Sequence, residues 1–128
     1  SRGLGDVYKR QVYPRKCQAM LAALREHIPR GLRWNEPAGG FNLWCHLEDG
    51  LRAQDLLAEA GRRQVAFVVG EAFHADGGGQ GAFRLNYSYQ GEANIREGIR
   101  RLGEALMALR RERGERQTEQ PAMARPIV

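Results

Sequence analysis

Residues 82–88, Ala-Phe-Arg-Leu-Asn-Tyr-Ser, alternate strictly between two kinds of side chain. Successive side chains on a strand point to opposite faces, so Phe83, Leu85 and Tyr87 share one face while Arg84, Asn86 and Ser88 share the other. A helix would scatter both sets around its circumference. The chain must therefore build a sheet with one face that seeks a core and one that presents a guanidinium. Arg84 is either exposed on an edge or has one of two kinds of partner. One is an internal acid, Glu71 or Asp76; the other is the carboxylate of a bound molecule, which the guanidinium fork matches with paired donors.

The stretch Phe41–Leu47 alternates in the same way, with Phe41, Leu43, Cys45 and Leu47 on one face and Asn42, Trp44 and His46 on the other. Before it, Cys17, Met20, Leu21, Leu24 and Ile28 fall at helical spacing opposite Arg15, Gln18, Arg25 and Glu26. Pro29 and Gly31 end that helix, and a short extended piece, Leu32–Asn35, leads to the turn at Pro37-Ala38-Gly39-Gly40. A helix is expected over Ala53–Arg63. Val65–Val69 is continuous and largely β-branched, the pattern of a strand covered on both sides. After the glycine-dense turn Asp76–Gly81 and the strand described first, Glu92–Arg113 forms an amphipathic helix, with Ile95, Ile99, Leu102, Leu106 and Leu109 as its seam and Gly91 as a modest N-cap. This order predicts an α+β domain: a small three- to four-stranded mixed sheet with helices packed on one face. The sheet's other face, with Trp44, His46, Arg84 and Asn86, is one that a free-standing domain rarely leaves bare; a second domain outside this chain would explain it.

Composition narrows the function. With 128 residues and 42% hydrophobic content, the chain is one domain with a modest core. It holds no apolar run approaching about 18 residues. Cys17 and Cys45 read as buried free thiols, which suits a reducing cytoplasm. Of the net charge of +5, residues 1–11 supply +2, and the basic residues of the last helix are interleaved with Glu104, Glu112 and Glu115. Mixed signs at that spacing make a solvated helix face rather than a nucleic-acid patch. The glycines of residues 77–81 precede a strand, whereas a phosphate cradle needs a helix N-terminus after it. His27, His46 and His74 lack metal-ligand spacing, and no Gly-x-Ser-x-Gly nucleophile motif occurs.

Four motifs in order carry a family resemblance across Tyr13–Arg113: Pro37-Ala38-Gly39-Gly40-Phe41 with Leu43-Trp44; residues 65–73, Val-Ala-Phe-Val-Val-Gly-Glu-Ala-Phe; residues 83–88, Phe-Arg-Leu-Asn-Tyr-Ser; and residues 95–102, Ile-Arg-Glu-Gly-Ile-Arg-Arg-Leu. Together they resemble the C-terminal small domain of class I/II, fold-type I, pyridoxal-phosphate-dependent aminotransferases. The closest look is to the branch of 2-aminoadipate-type aminotransferases and the aminotransferase-like half of MocR-type regulators. By that resemblance Arg84 matches the residue that binds the substrate α-carboxylate, Asn86 lies near it, and Gly39 and Gly40 match a turn at the active-site mouth. The resemblance implies a cytoplasmic aminotransferase that moves an amino group from an amino acid to a 2-oxo acid in two stages. Such an enzyme is a homodimer, and its pyridoxal 5'-phosphate is bound by a large domain missing here. The alternative it leaves is an effector-binding domain of a MocR-type transcriptional regulator, which alone would involve nucleic acid.

Asn42, Val69 and Gln64 depart from the family pattern; Gln64 stands where a helix-ending glycine is usual. The larger departure is the cofactor lysine. Only Lys9 and Lys16 are present, and neither matches the family's lysine motif, so no catalytic, cofactor-binding or metal residue is expected in this chain and alone it is expected to be inactive. Val7-Tyr8-Lys9-Arg10-Gln11 resembles a translated sequencing adapter. The expected organisation is therefore residues 1–11 as an adapter-like segment, 12–31 as a helix leading from the missing large domain, 32–113 as the small domain, and 114–128 as a loose C-terminal tail.

Overall fold

The computed structural model describes residues 13–35, 37, 41–70 and 79–124, with side chains described as far as residue 116. The elements run α1 (Arg15–His27), β1 (Leu32–Trp34), β2 (Asn42–Leu47), α2 (Ala53–Gly61), β3 (Val68–Val69), β4 (Ala82–Asn86) and α3 (Glu92–Ala124). The α+β class and the apolar periodicities hold. Cys17, Met20, Leu21, Leu24 and Ile28 are buried along α1, and Ile95, Ile99, Leu102, Leu106 and Leu109 along α3. These two stripes meet Leu32, Leu43, Cys45, Leu47, Phe83 and Leu85 of the sheet in one core. Helix α1 thus belongs to the same core as the sheet.

The end of α1 packs closely against α3 at Gly103. A Cβ built there would lie 2.9 Å from the His27 carbonyl oxygen. Only a residue without a side chain lets the end of α1 settle against α3 at this separation.

The sheet order is β1-β2-β4-β3, and every neighbouring pair is antiparallel. The expected mixed sheet is corrected: the excursion through α2 and β3 returns the chain beside β2 in the opposite sense, and β3 and β4 form an antiparallel pair. A parallel neighbour would need a crossover that keeps direction, and no such pair occurs among the described residues.

Three further expectations change. Val65–Val69 is not a strand covered on both sides. Only Val68–Val69 pairs with β4, at the edge of the order, and Val68 is 43% exposed while Val65, Phe67 and Val69 pack against the core. β-branching marks a pleated surface, not which of its faces is covered. Phe41 lies just outside β2 and is 54% exposed, its ring standing edge-on to Tyr87 at 5.9 Å. Finally, α3 continues past Arg113 to Ala124 instead of giving way to a loose tail at residue 114. A single glycine costs a helix only about 1 kcal/mol, which good helix formers on both sides outweigh.

Gln64 adopts a left-handed backbone, φ 62°. Its N–H donates to the Gly61 carbonyl and that of Val65 to the Ala60 carbonyl, the paired bonds that close a helix through a left-handed residue. The position that the sequence pattern reserves for glycine thus has a glycine-type conformation and a glutamine in it.

Candidate substrate-anchoring face

The outer face of the sheet is set by register. Trp44 lies opposite Arg84 and Asn42 opposite Asn86 across β2 and β4, while Val68 flanks Arg84 from β3. The bonds from Tyr87 N–H to the Phe41 carbonyl and from Leu47 N–H to the Gly81 carbonyl put the hydrogen-bonded sites of this pair at odd-numbered residues. Trp44 and Arg84 therefore occupy a non-hydrogen-bonded site, where Cα atoms approach to about 4.5 Å and facing side chains are closest.

Arg84 is half-buried in the middle of this face. Its Nε is fully buried and has no hydrogen-bond partner, and no ion pair engages its guanidinium among the described residues. A buried, unsatisfied donor costs about 1–3 kcal/mol, more when charged, so such a group calls for a partner beyond the described residues. Glu71 and Asp76, the internal acids weighed for it, lie outside the described residues, as do Gly39 and Gly40.

Asn86 sits two residues further along the same face but is already engaged. Its Oδ1 accepts from the Ser88 backbone N–H at 2.8 Å and from Ser88 Oγ at 2.6 Å, and its Nδ2 donates to Asn42 Oδ1 at 2.9 Å. Among the described residues the second N–H of the amide has no acceptor. Its first task is to fix the turn that leaves β4.

Trp44 was placed on this face by the alternation, but not its reach. A Cβ at Gly70 would lie 2.9 Å from Trp44 Cζ3, and both Gly70 and Ala82 are buried. The indole therefore extends from β2 over Ala82 of β4 to Gly70 beyond β3. Two small residues make the slot it lies in. The register puts this ring beside the stem of Arg84.

Other charged groups are committed elsewhere. Lys16 on α1 donates from Nζ to the Ser88 carbonyl at 3.2 Å. Glu59, only 6% exposed, lies 3.1 Å from Arg63 and 2.9 Å from Arg62. The Arg63 hydrogen bond is the main cause holding its carboxyl below the usual range. Bonds from Arg100 and Arg101 bring the Glu97 carboxyl down to about 2, and Arg101 also donates to the Arg63 carbonyl, tying α2 to α3. Burial pushes the Cys45 thiol up to about 12.

A cleft of about 310 Å³ opens at the β3 side, lined by Met20, Val65, Leu85, Asn94 and Ile95 among others. It lies largely on the helical side of the sheet, away from Arg84. Among the described residues no group of three or more His, Cys, Asp or Glu could hold a metal, and no helix is long and apolar enough to cross a membrane. Among the described residues Lys16 Nζ is engaged with the Ser88 carbonyl, and the candidate cation on the outer face is the Arg84 guanidinium.

No protein-family model matches the chain. It is 45% identical over 100 residues to the 2-aminoadipate transaminase of Thermus thermophilus, covering 78% of this chain and 25% of the relative. It is 41% identical over 96 residues to an aromatic-amino-acid aminotransferase of Thermococcus litoralis, covering 75% and 23%. Among solved structures, α-aminoadipate aminotransferase from Thermus thermophilus in complex with N-(5'-phosphopyridoxyl)-L-leucine superposes with a TM-score of 0.71 at 42% identity, over 84% of this chain and 28% of that one. Weaker similarity, 27% identity over 94 residues, extends to a helix-turn-helix-type transcriptional regulator of Bacillus subtilis. The chain thus spans about a quarter of the length of the curated relatives first matched.

Proposed function

Because the chain belongs to the fold-type I aminotransferases, as the C-terminal small domain, we propose that it is the part of such an enzyme that grips the α-carboxylate of the amino-acid substrate through Arg84. The observation that supports this most is the buried Nε of Arg84, which has no hydrogen-bond partner, on the sheet face turned away from the helices. A carboxylate meeting the guanidinium neutralises it and fixes the Cα–H bond in one orientation, a positional constraint that contributes several kcal/mol to reactions of this kind. When bound, pyridoxal 5'-phosphate supplies the electron sink, and its lysine, aspartate and phosphate cup come from the remainder of the full-length protein. The substrate is an amino acid with a 2-oxo acid as acceptor, and the complete protein is a homodimer in the cytoplasm.

Kinetics of the full-length protein test this. Arg84→Ala is expected to lower kcat/KM for amino acids by about 10- to 150-fold, the range for a lost charged hydrogen bond. Arg84→Lys is expected to recover only part of it, because an ammonium cannot offer the planar fork. An unchanged kcat/KM in Arg84→Ala refutes the assignment. The similarity to the Bacillus regulator supports a second reading, an effector domain behind a DNA-binding segment. A winged helix-turn-helix in the upstream sequence would establish that reading, and a pyridoxal lysine motif joined directly to the small domain the first.

A further inference from the structure

Arg84 works only if its guanidinium is held in one place, and no hydrogen bond among the described residues does that. What stands beside it is an indole. Trp44 faces Arg84 at a non-hydrogen-bonded site, the closest side-chain spacing that an antiparallel pair offers. Its ring runs over Ala82, the residue two before Arg84 on the same face, and ends against Gly70, where even a methyl group would come within 2.9 Å of Cζ3. Both floor residues are small and buried, so the ring lies along the sheet instead of standing away from it. On the other flank of Arg84, Asn86 is itself locked by Asn42 and Ser88.

We infer that Trp44 is a positioning residue for Arg84: lying in the slot formed by Ala82 and Gly70, its indole walls one side of the arginine stem, so that only the outward end of the fork can meet a carboxylate. The inference rests on the assignment of Arg84 to the substrate carboxylate and adds a second residue, on another strand, through which that assignment is met. A rigid apolar wall acts in two ways. It removes rotamers that would swing the guanidinium away, and it excludes water from the stem, which strengthens the charged hydrogen bonds at the tip. Neither effect depends on Trp44 touching the substrate.

Binding to the full-length protein separates this from a merely structural role. The probes are 4-methylpentanoate, a non-reacting carboxylate with the carbon skeleton of leucine, and its neutral amide, both measured by calorimetry. Trp44→Ala is expected to weaken the carboxylate by about five- to tenfold, within the range of couplings between touching residues, and to leave the amide unchanged. In an Arg84→Ala background, Trp44→Ala should add less than about twofold. Trp44→Phe should restore most of the affinity, because a flat ring remains in the slot. Gly70→Ala, which leaves both site residues in place and presses most on the ring, at 2.9 Å, and less on Ala82, at 3.2 Å, should weaken the carboxylate by about two- to fivefold and keeps the test open if Trp44→Ala does not fold. Equal losses for carboxylate and amide, or an undiminished Trp44 effect in the Arg84→Ala background, overturn the positioning role alone. A carboxylate affinity unchanged by Arg84→Ala overturns the carboxylate assignment itself, and the inference with it.

Discussion

Two glycines on one helix make opposite predictions. Gly98 and Gly103 both lie inside α3, five residues apart. A Cβ added at Gly98 meets nothing within 4 Å, whereas one at Gly103 lies 2.9 Å from the His27 carbonyl oxygen and 3.4 Å from His27 Cβ. Replacing either by alanine gains the same helix propensity, about 1 kcal/mol. Gly98→Ala should keep all of that gain. Gly103→Ala must also push back the end of α1, and the obstacle is backbone, which cannot rotate out of the way. Overpacking of this kind costs about 1–3 kcal/mol. The propensity gain cancels in the comparison, so the two variants should differ by that cost alone. For a domain of this size the gap corresponds to a difference in Tm of at least about 4 °C, with Gly98→Ala above the parent. Urea titration of both variants beside the parent gives the same difference as a free energy. If Gly103→Ala is stabilised as much as Gly98→Ala, α1 and α3 are not in contact there and the described core is wrong at its main seam.

Other outcomes follow from single sites. Gln64→Gly should raise stability by about 1 kcal/mol in urea titrations, since glycine accepts the left-handed backbone that glutamine holds under strain; a loss would mean that the glutamine side chain has a stabilising role. Glu59→Gln should cost about 1–2 kcal/mol at pH 7. Because the folded carboxyl titrates below its ordinary value of 4.5, the stability it contributes is whole above that pH and is lost as pH falls through the folded value. The gap between parent and Glu59→Gln should therefore narrow at pH 3, and an equal gap at both pH values refutes the ion-pair account. With Cys17 and Cys45 both buried and the Cys45 thiol pushed up to about 12, neither should react with a disulfide reagent at pH 8 until denaturant is added. Prompt labelling of either refutes its placement in the core.

Where a face is settled by local alternation the sequence is enough, except at Phe41, which lies just outside β2 and is exposed. Phe83, Leu85 and Tyr87 are buried as the period of two requires, and the 3–4 spacing found both helix seams. Even Gln64 was legible, as a residue where a glycine belonged. What the sequence could not show depends on more than one segment. Val65–Val69 looks like an interior strand because β-branching reports a fit to a pleated surface, and only the assembled sheet reveals Val68 on an edge. The burial of Glu59 has no local signal, since Arg62 and Arg63 stand at the i,i+3 and i,i+4 spacing of any helix-surface ion pair. At the candidate site, Arg84 could be chosen from its strand, but the slot for Trp44 joins β2, β4 and the residue after β3, which no local window contains.

The seam between α1 and α3 also has a consequence in time. The first and last helices of the domain are each other's main cover, so a nascent chain cannot bury Leu24 until residues 95–109 have been synthesised. At about 5–20 residues per second, the intervening stretch of roughly 70 residues takes about 4–14 s. A 13-residue helix is marginal alone, so through that interval α1 is an unfolded, leucine-bearing segment awaiting its partner. A chaperone that reads apolar stretches finds such a stretch at residues 17–28 and is displaced from it when residues 95–109 dock.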